Sequence, residues 1–308
     1  MSDLQYEDYW FEYVLREDPD KIKNLIREEY IRSQELNIHL DIYDDETPRE
    51  KTIIFIHGTS VYSRFYAEWL YNLYKQGFRI VAPDMSGHGK SEGTRGHFTM
   101  EKFSQEISDV VEYVINHYGE KIAVMGSSLG GITSLYATAF EPRIKAAVCH
   151  NAAIFDEKAY KKIVEMNLLL RILLPLVPIA TKLAPKFRIS TLLYLDFERL
   201  AKTQDVKNKI DYLLEDPLLS LKYTVTAIRT QMKDPLAKPI EEIKTPIMII
   251  NGDEDVLFSE EYMTEIYERL TCEQRKLEII EDASHLIFQE NIQESLKRVV
   301  PWLNKVLE

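Results

Sequence analysis

Two hydrophobic rhythms alternate along most of this chain. Short apolar runs rich in β-branched residues, such as Thr52, Ile53, Ile54, Phe55 and Ile56, have the character of buried strands. Similar runs cover residues 78–83, 122–125, 143–150, 246–251 and 275–280. Between them lie segments whose apolar residues return every third or fourth position, the period of a helix with one buried face. Residues 99–118 show it most clearly, with Phe103, Ile107, Val110, Val111, Val114 and Ile115 on one side and Gly119 at the end. Residues 67–76, 129–139, 259–270 and 292–307 follow the same rule, and Ser259 stands where it can cap its helix. Strands alternating with helices predict an α/β fold, a mostly parallel central sheet flanked by helices.

The ends and the middle depart from this rhythm. Residues 1–31 read as an N-terminal extension packed on the main domain. It carries Tyr6, Tyr9, Trp10, Phe11 and Tyr13, then a helical pattern over 20–30. Leu36, Ile38, Leu40 and Ile42 alternate with polar residues, which predicts a half-exposed strand near a sheet edge. At about residue 151 the strand signal stops. Up to about 235 the chain is helix-like, interrupted by Pro175, Pro178, Pro185 and Pro217. The expected organisation is a core formed by 1–150 and 236–308, with 151–235 inserted as a helical cap.

Composition narrows the function. With 308 residues and a net charge of −12, the chain has room for a sizeable core but lacks the basic surface that nucleic acid requires. Cys149 and Cys272 are far apart and in no metal-ligand spacing, so they are read as free thiols. The acidic N-terminus lacks the basic and apolar regions of a signal peptide. The most apolar segment, 168–180, is broken by Arg171, Pro175 and Pro178 and is too short to cross a bilayer. The expectation is a soluble, cytoplasmic protein.

The candidate chemistry begins at residues 126–130, Gly-Ser-Ser-Leu-Gly, which fit G-x-S-x-G between a strand and a helix. That context suits a nucleophile elbow, a strained turn that lifts a serine hydroxyl clear of the sheet. Ser127 would be flanked two residues away by the bulky Met125 and Leu129, whereas Ser128 has Gly126 and Gly130, so Ser128 is the candidate nucleophile. A serine needs a base, and the base needs an acid to hold its tautomer. On this fold the order is serine, acid, histidine, each after a strand. His285 is the sole histidine beyond the candidate acids and follows the strand at 275–280. Asp253 and Asp255 share the turn after residues 246–251, and Asp282 is close to His285. Asp255 is preferred because it has cleared the strand and turned. The backbone N–H groups of Leu129 and Thr59 are the candidate oxyanion donors. His57 is read as shaping its own turn, and His150, at a strand end, is the spare histidine to watch.

These residues resemble a known family. Residues 54–60 (IFIHGTS), 82–98 (APDMSGHGKSEGTRGHF), 125–131 (MGSSLGG), 250–258 (INGDEDVLF) and 282–288 (DASHLIF) are similar to the α/β-hydrolase family, in its monoacylglycerol lipase and lysophospholipase-like, or serine aminopeptidase-like, branch. The resemblance implies an α/β-hydrolase fold and the same five site residues, with no metal or cofactor. The implied activity is hydrolysis of carboxylic esters through an acyl-enzyme, on a small-molecule ester with an apolar acyl chain. Leu168, Leu169, Leu170, Ile172, Leu173, Leu174, Leu176 and Val177 in the cap would line an acyl tunnel or touch a membrane surface transiently. A peptidase, thioesterase or perhydrolase on the same triad is the alternative, with Glu157, Glu165 and Glu198 available to a free amine. A ligand-binding protein on a hydrolase scaffold ranks behind it. Nothing in the sequence specifies an oligomeric state.

Overall fold

The computed structural model describes residues 16, 18–45, 47–155 and 174–308. Eight strands form one sheet: β1 (Ile26–Ser33), β2 (Leu36–Tyr43), β3 (Lys51–Ile56), β4 (Arg79–Pro83), β5 (Lys121–Ser127), β6 (Ala146–His150), β9 (Ile247–Gly252) and β10 (Lys276–Ile280). Their spatial order is β1-β2-β4-β3-β5-β6-β9-β10. Pairing is antiparallel from β1 through β2 to β4 and parallel across the rest of the sheet. Parallel strands joined by helices are covered on both faces, which is why β5 and β6 are almost wholly buried and read as unbroken apolar runs.

Among the described helices, α1 (Pro19–Leu25), α2 (Ala67–Lys75), α3 (Met100–His117) and α4 (Leu129–Phe140) belong to the first half. Thr99 caps α3 by accepting from the Lys102 N–H. In the last part, Ser259 caps Glu260–Arg269 by accepting from Tyr262 N–H at 3.2 Å, as the sequence predicts. The C-terminal helix is Ile292–Val306.

Two expectations near the N-terminus change. The helical pattern over 20–30 ends early: α1 stops at Leu25 and β1 begins at Ile26. Strand β1 is joined to β2 by a two-residue turn at Gln34 and Glu35, both with positive φ, and this turn lacks the Gly or Asn that usually announces it. Strand β2 is therefore not half-exposed, because β1 takes the edge beside it. Its polar face is buried as well, since His39 and Asp41 meet Glu28, Arg64 and Asp84.

The described part of the insertion contributes no strand to the eight-stranded sheet. It contains α5 (Val177–Leu183), α6 (Phe197–Leu200), α7 (Gln204–Lys207), α8 (Ile210–Leu214) and α9 (Val225–Lys233). It also contains two three-residue strands, β7 (Arg188–Ser190) and β8 (Lys222–Thr224), paired antiparallel. The expectation of a purely helical cap is corrected on this point. Strand β8 is sewn to the core: Thr224 N–H donates to Gly96 O at 2.9 Å, and Ser220 N–H to Ser60 O at 2.8 Å. Gly96 is required there, because a Cβ on it would lie 2.1 Å from Lys222 O. The aromatic residues 6–13, Glu157, Glu165 and the apolar run 168–173 lie outside the described residues.

Candidate active site

The carboxyl ends of β3, β5, β6, β9 and β10 bring the site together. At the end of β5 the chain reverses sharply. Ser128 has φ 56° and ψ −121°, a conformation that costs a non-glycine residue on the order of 1–3 kcal/mol. The turn is pinned at both ends. Ser128 N–H donates to His150 O at 2.9 Å, and Ser128 O accepts from Ile132 N–H at 3.0 Å, opening α4. Gly126 and Gly130 allow the crossing: a Cβ on Gly126 would lie 2.2 Å from Gly130 O, and one on Gly130 would lie 2.0 Å from Ile56 O. The two serines part here. Ser127 is buried with its hydroxyl against His150, while Ser128 is partly exposed at the head of the helix.

The candidate acid and base meet from two other loops. His285 Nδ1 donates to Asp255 Oδ2 at 2.8 Å. The same oxygen accepts from Asn151 Nδ2 at 2.9 Å, and Oδ1 accepts from Leu257 and Phe258 N–H at 2.8 and 3.1 Å. Burial alone would raise the Asp255 pKa, but His285 and the Leu257 N–H help hold it below the ordinary carboxylate value. Phe258 stacks on the His285 ring. Asp253 instead accepts from Ala283 N–H at 3.1 Å and ties the two loops together, while Asp282 pairs with Lys202 on the surface.

The oxyanion candidates lie on either side of Ser128. The Leu129 N–H belongs to the first turn of α4 and has no acceptor within the helix, and the helix dipole favours negative charge beside it. Thr59 follows Gly58, which packs on Ser128 so closely that an added Cβ would lie 3.4 Å from Ser128 Cβ. His57 shapes this turn: its Nδ1 donates to Gly58 O at 2.9 Å and its Nε2 accepts from Met85 N–H at 3.0 Å. Beyond Thr59, Ser60 N–H donates to Tyr223 Oη at 2.9 Å, and that hydroxyl donates to His88 Nε2 at 3.0 Å. Burial pushes the His88 pKa down to about 3, so it stays a neutral acceptor. Strand β8 thus buttresses the loop that carries Thr59.

Two groups of described residues have metal-like spacing. In His150, Asp255 and His285 the ligand atoms lie within 4.8 Å of one another, but His285 Nδ1 and the Asp255 oxygens already bond to each other and to protein donors. Glu28 and Asp41 are engaged by Arg64 and Lys90, and His39 by Asp84 and Glu28. In both, protein groups already engage the carboxylates that a cation would otherwise take.

Sequence reasoning missed Asn151 and Tyr223. Asn151 follows β6 at φ 64°, and no motif surrounds it. Tyr223 lies on a strand too short to show a period.

The family model of serine aminopeptidase, S33, matches residues 47–292. The chain belongs to this family. A monoglyceride lipase homolog of Monkeypox virus is 24% identical over 267 residues, covering 82% of this chain and 89% of that one. Among solved structures, the monoacylglycerol lipase of Paleococcus ferrophilus superposes with a TM-score of 0.73 at 24% identity, over 87% of this chain and 99% of its own. A soluble variant of monoglyceride lipase from Saccharomyces cerevisiae, in complex with a substrate analog, gives 0.75 at 16% identity, over 91% and 95%. The fold is that of the α/β-hydrolases, and this S33 member is a hydrolase of the lipase and esterase type.

Proposed function

We propose that the protein hydrolyses carboxylic esters with an apolar acyl group, using Ser128 as nucleophile, His285 as base and Asp255 as the acid that orients it. The observation that carries this reading is the hydrogen-bonded Asp255–His285 pair on the same sheet edge as a serine in left-handed backbone geometry. Ser128 Oγ attacks the carbonyl as its proton passes to His285 Nε2. The Leu129 and Thr59 N–H groups stabilise the oxyanion. His285 returns the proton to the departing alcohol, and water then resolves the acyl-enzyme by the same route. Asp255 remains a carboxylate throughout, which its lowered pKa favours.

The cap supports an apolar substrate delivered from a lipid surface. Leu176, Ile179, Leu183 and Phe187 are largely exposed, beside the exposed cations Lys182, Lys186 and Arg188. Apolar side chains flanked by cations suit contact with an anionic interface, against the grain of a chain of net charge −12. An apolar cavity of about 60 Å³ lies between α2, α6, α8 and Phe288, lined by Phe65, Trp69, Phe197, Ile210 and Leu213. It has room for roughly two waters and does not include Ser128, so it is not offered as the acyl site. The monoglyceride lipase names among the relatives point to the same class of ester.

A fluorophosphonate probe is expected to label the wild-type protein and not Ser128→Ala, and equal labelling of the two would remove the assignment. A series of p-nitrophenyl esters of rising chain length, with matched thioester and amide, then reads the bond and the acyl preference. A rate that falls steadily beyond acetate would count against an apolar acyl site.

A further inference from the structure

Ser127 and His150 form a second serine–histidine pair behind the elbow. Both are buried, and Ser127 Oγ lies 2.8 Å from His150 Nδ1. Among the described residues the other ring nitrogen, His150 Nε2, has no hydrogen-bond partner. An unpartnered ring nitrogen in a core costs on the order of 1–3 kcal/mol. The ring stands against the proposed acid–base pair: its centroid is 5.3 Å from that of His285. A ring nitrogen of His150, a ring nitrogen of His285 and an Asp255 carboxylate oxygen all lie within 4.8 Å of one another.

Beside the elbow, the Tyr66 hydroxyl lies near Gly58. The contact with Gly58 is close: a Cβ there would lie 2.8 Å from Tyr66 Oη. Ser127 O–H can donate to His150 Nδ1. The His150 proton is then on Nε2, the ring nitrogen that Ser127 leaves free.

We propose that His150 is a positioning residue for the Asp255–His285 pair, fixed by Ser127 in the tautomer that carries its proton on Nε2. Its kinetic consequence rests on the serine-hydrolase reading; its tautomer does not. Burial pushes the His150 pKa down to about 3, so the ring stays neutral at working pH and acts as a dipole. That dipole lies beside the pair. It stabilises the Asp255 anion and opposes the positive charge that His285 takes on as a base. The other charged groups of this loop cluster are Asp253, Glu290, which accepts from Ser284, and Lys202, which pairs with Glu254 and Asp282. None of them changes in the variants below.

Two measurements test this. In wild-type protein carrying ¹⁵N-labelled histidine, NMR is expected to show His150, assigned by its loss in His150→Gln, as the neutral Nε2–H tautomer between about pH 5 and 8. Ser127→Ala should give a mixture of tautomers. In the pH profile of kcat/KM, His150→Phe should move the acid limb up by about half a unit. His150→Gln, with its amide nitrogen near the Nε2 position, should restore it. An Nδ1–H tautomer in the wild type overturns the proposal, and so does an unmoved acid limb in a folded His150→Phe. If His150→Phe does not fold, the wild-type tautomer decides. Absence of esterase activity would defeat the proposed function while the NMR result still judged the tautomer.

Discussion

At the carboxyl edge of the sheet, the Asp255 carboxylate accepts from His285, Asn151, Leu257 and Phe258, and the elbow beside it closes on two glycines that admit no side chain. In the cap, Leu183 at the end of the seven-residue α5 is 81% exposed, and Phe187, just before β7, is 64% exposed. The first region fixes a few polar atoms in a packed interior, where they need no rearrangement when charge develops. The second presents apolar area to whatever it meets. Chemistry and substrate delivery are thus expected to separate: changes at the sheet edge should act on kcat, and changes in the cap on access.

Ser128→Ala should have the largest effect, lowering kcat by on the order of 10⁴–10⁶. Equal activity in this variant would dissolve the contrast altogether. Asp255→Asn should cost about 10³–10⁴ in kcat, by favouring the wrong His285 tautomer, with KM little changed. A loss confined to KM would place substrate binding at the sheet edge. Leu183→Glu combined with Phe187→Glu should lower hydrolysis of an ester embedded in vesicles of mixed neutral and anionic lipid by about 10², from two lost apolar contacts. The rate on a short water-soluble ester should stay within about twofold. Equal losses on both substrates would show that the cap shapes the chemistry.

A pH test sharpens the comparison from the core side. Burial alone would lower the His39 pKa, but Asp84 and Glu28 raise it to about 9. Its contribution to stability is therefore fully present below the unfolded value of about 6.5 and is lost as pH rises through 9. Urea midpoints should fall between neutral pH and pH 10 by an amount equivalent to about 2 kcal/mol, and His39→Gln should flatten that fall. An equally steep fall in His39→Gln would locate the sensitive group elsewhere. Tyr223→Phe should have the smallest effect of the set. It removes the hydroxyl that Ser60 N–H and His88 share, at a cost of about 1–2 kcal/mol in unfolding free energy.

The same contrast governs what could be read from the sequence. Strands β3, β5, β6 and β9 are legible because burial on both faces writes long apolar runs. The elbow is legible because its crossing tolerates only glycine at positions 126 and 130. Strand β1 is not, since Arg27, Glu28 and Glu29 dominate its composition and its turn uses Gln34 and Glu35. Strands β7 and β8 are too short to carry a period, and their pairing depends on contacts with Gly96 and Ser60 made far away in sequence. Asn151 supports Asp255 across 104 residues, a relation no local pattern expresses.

The left-handed backbone at Ser128 bears on how such a chain would drift. A glycine there would relieve the strain, though it would also enlarge the freedom of the unfolded chain. A descendant released from hydrolysis would gain stability by losing Ser128 and would be expected to lose it early. Gly126 and Gly130 would persist, because strand and helix must still cross there whether or not anything reacts. In such a lineage the glycines would outlive the serine.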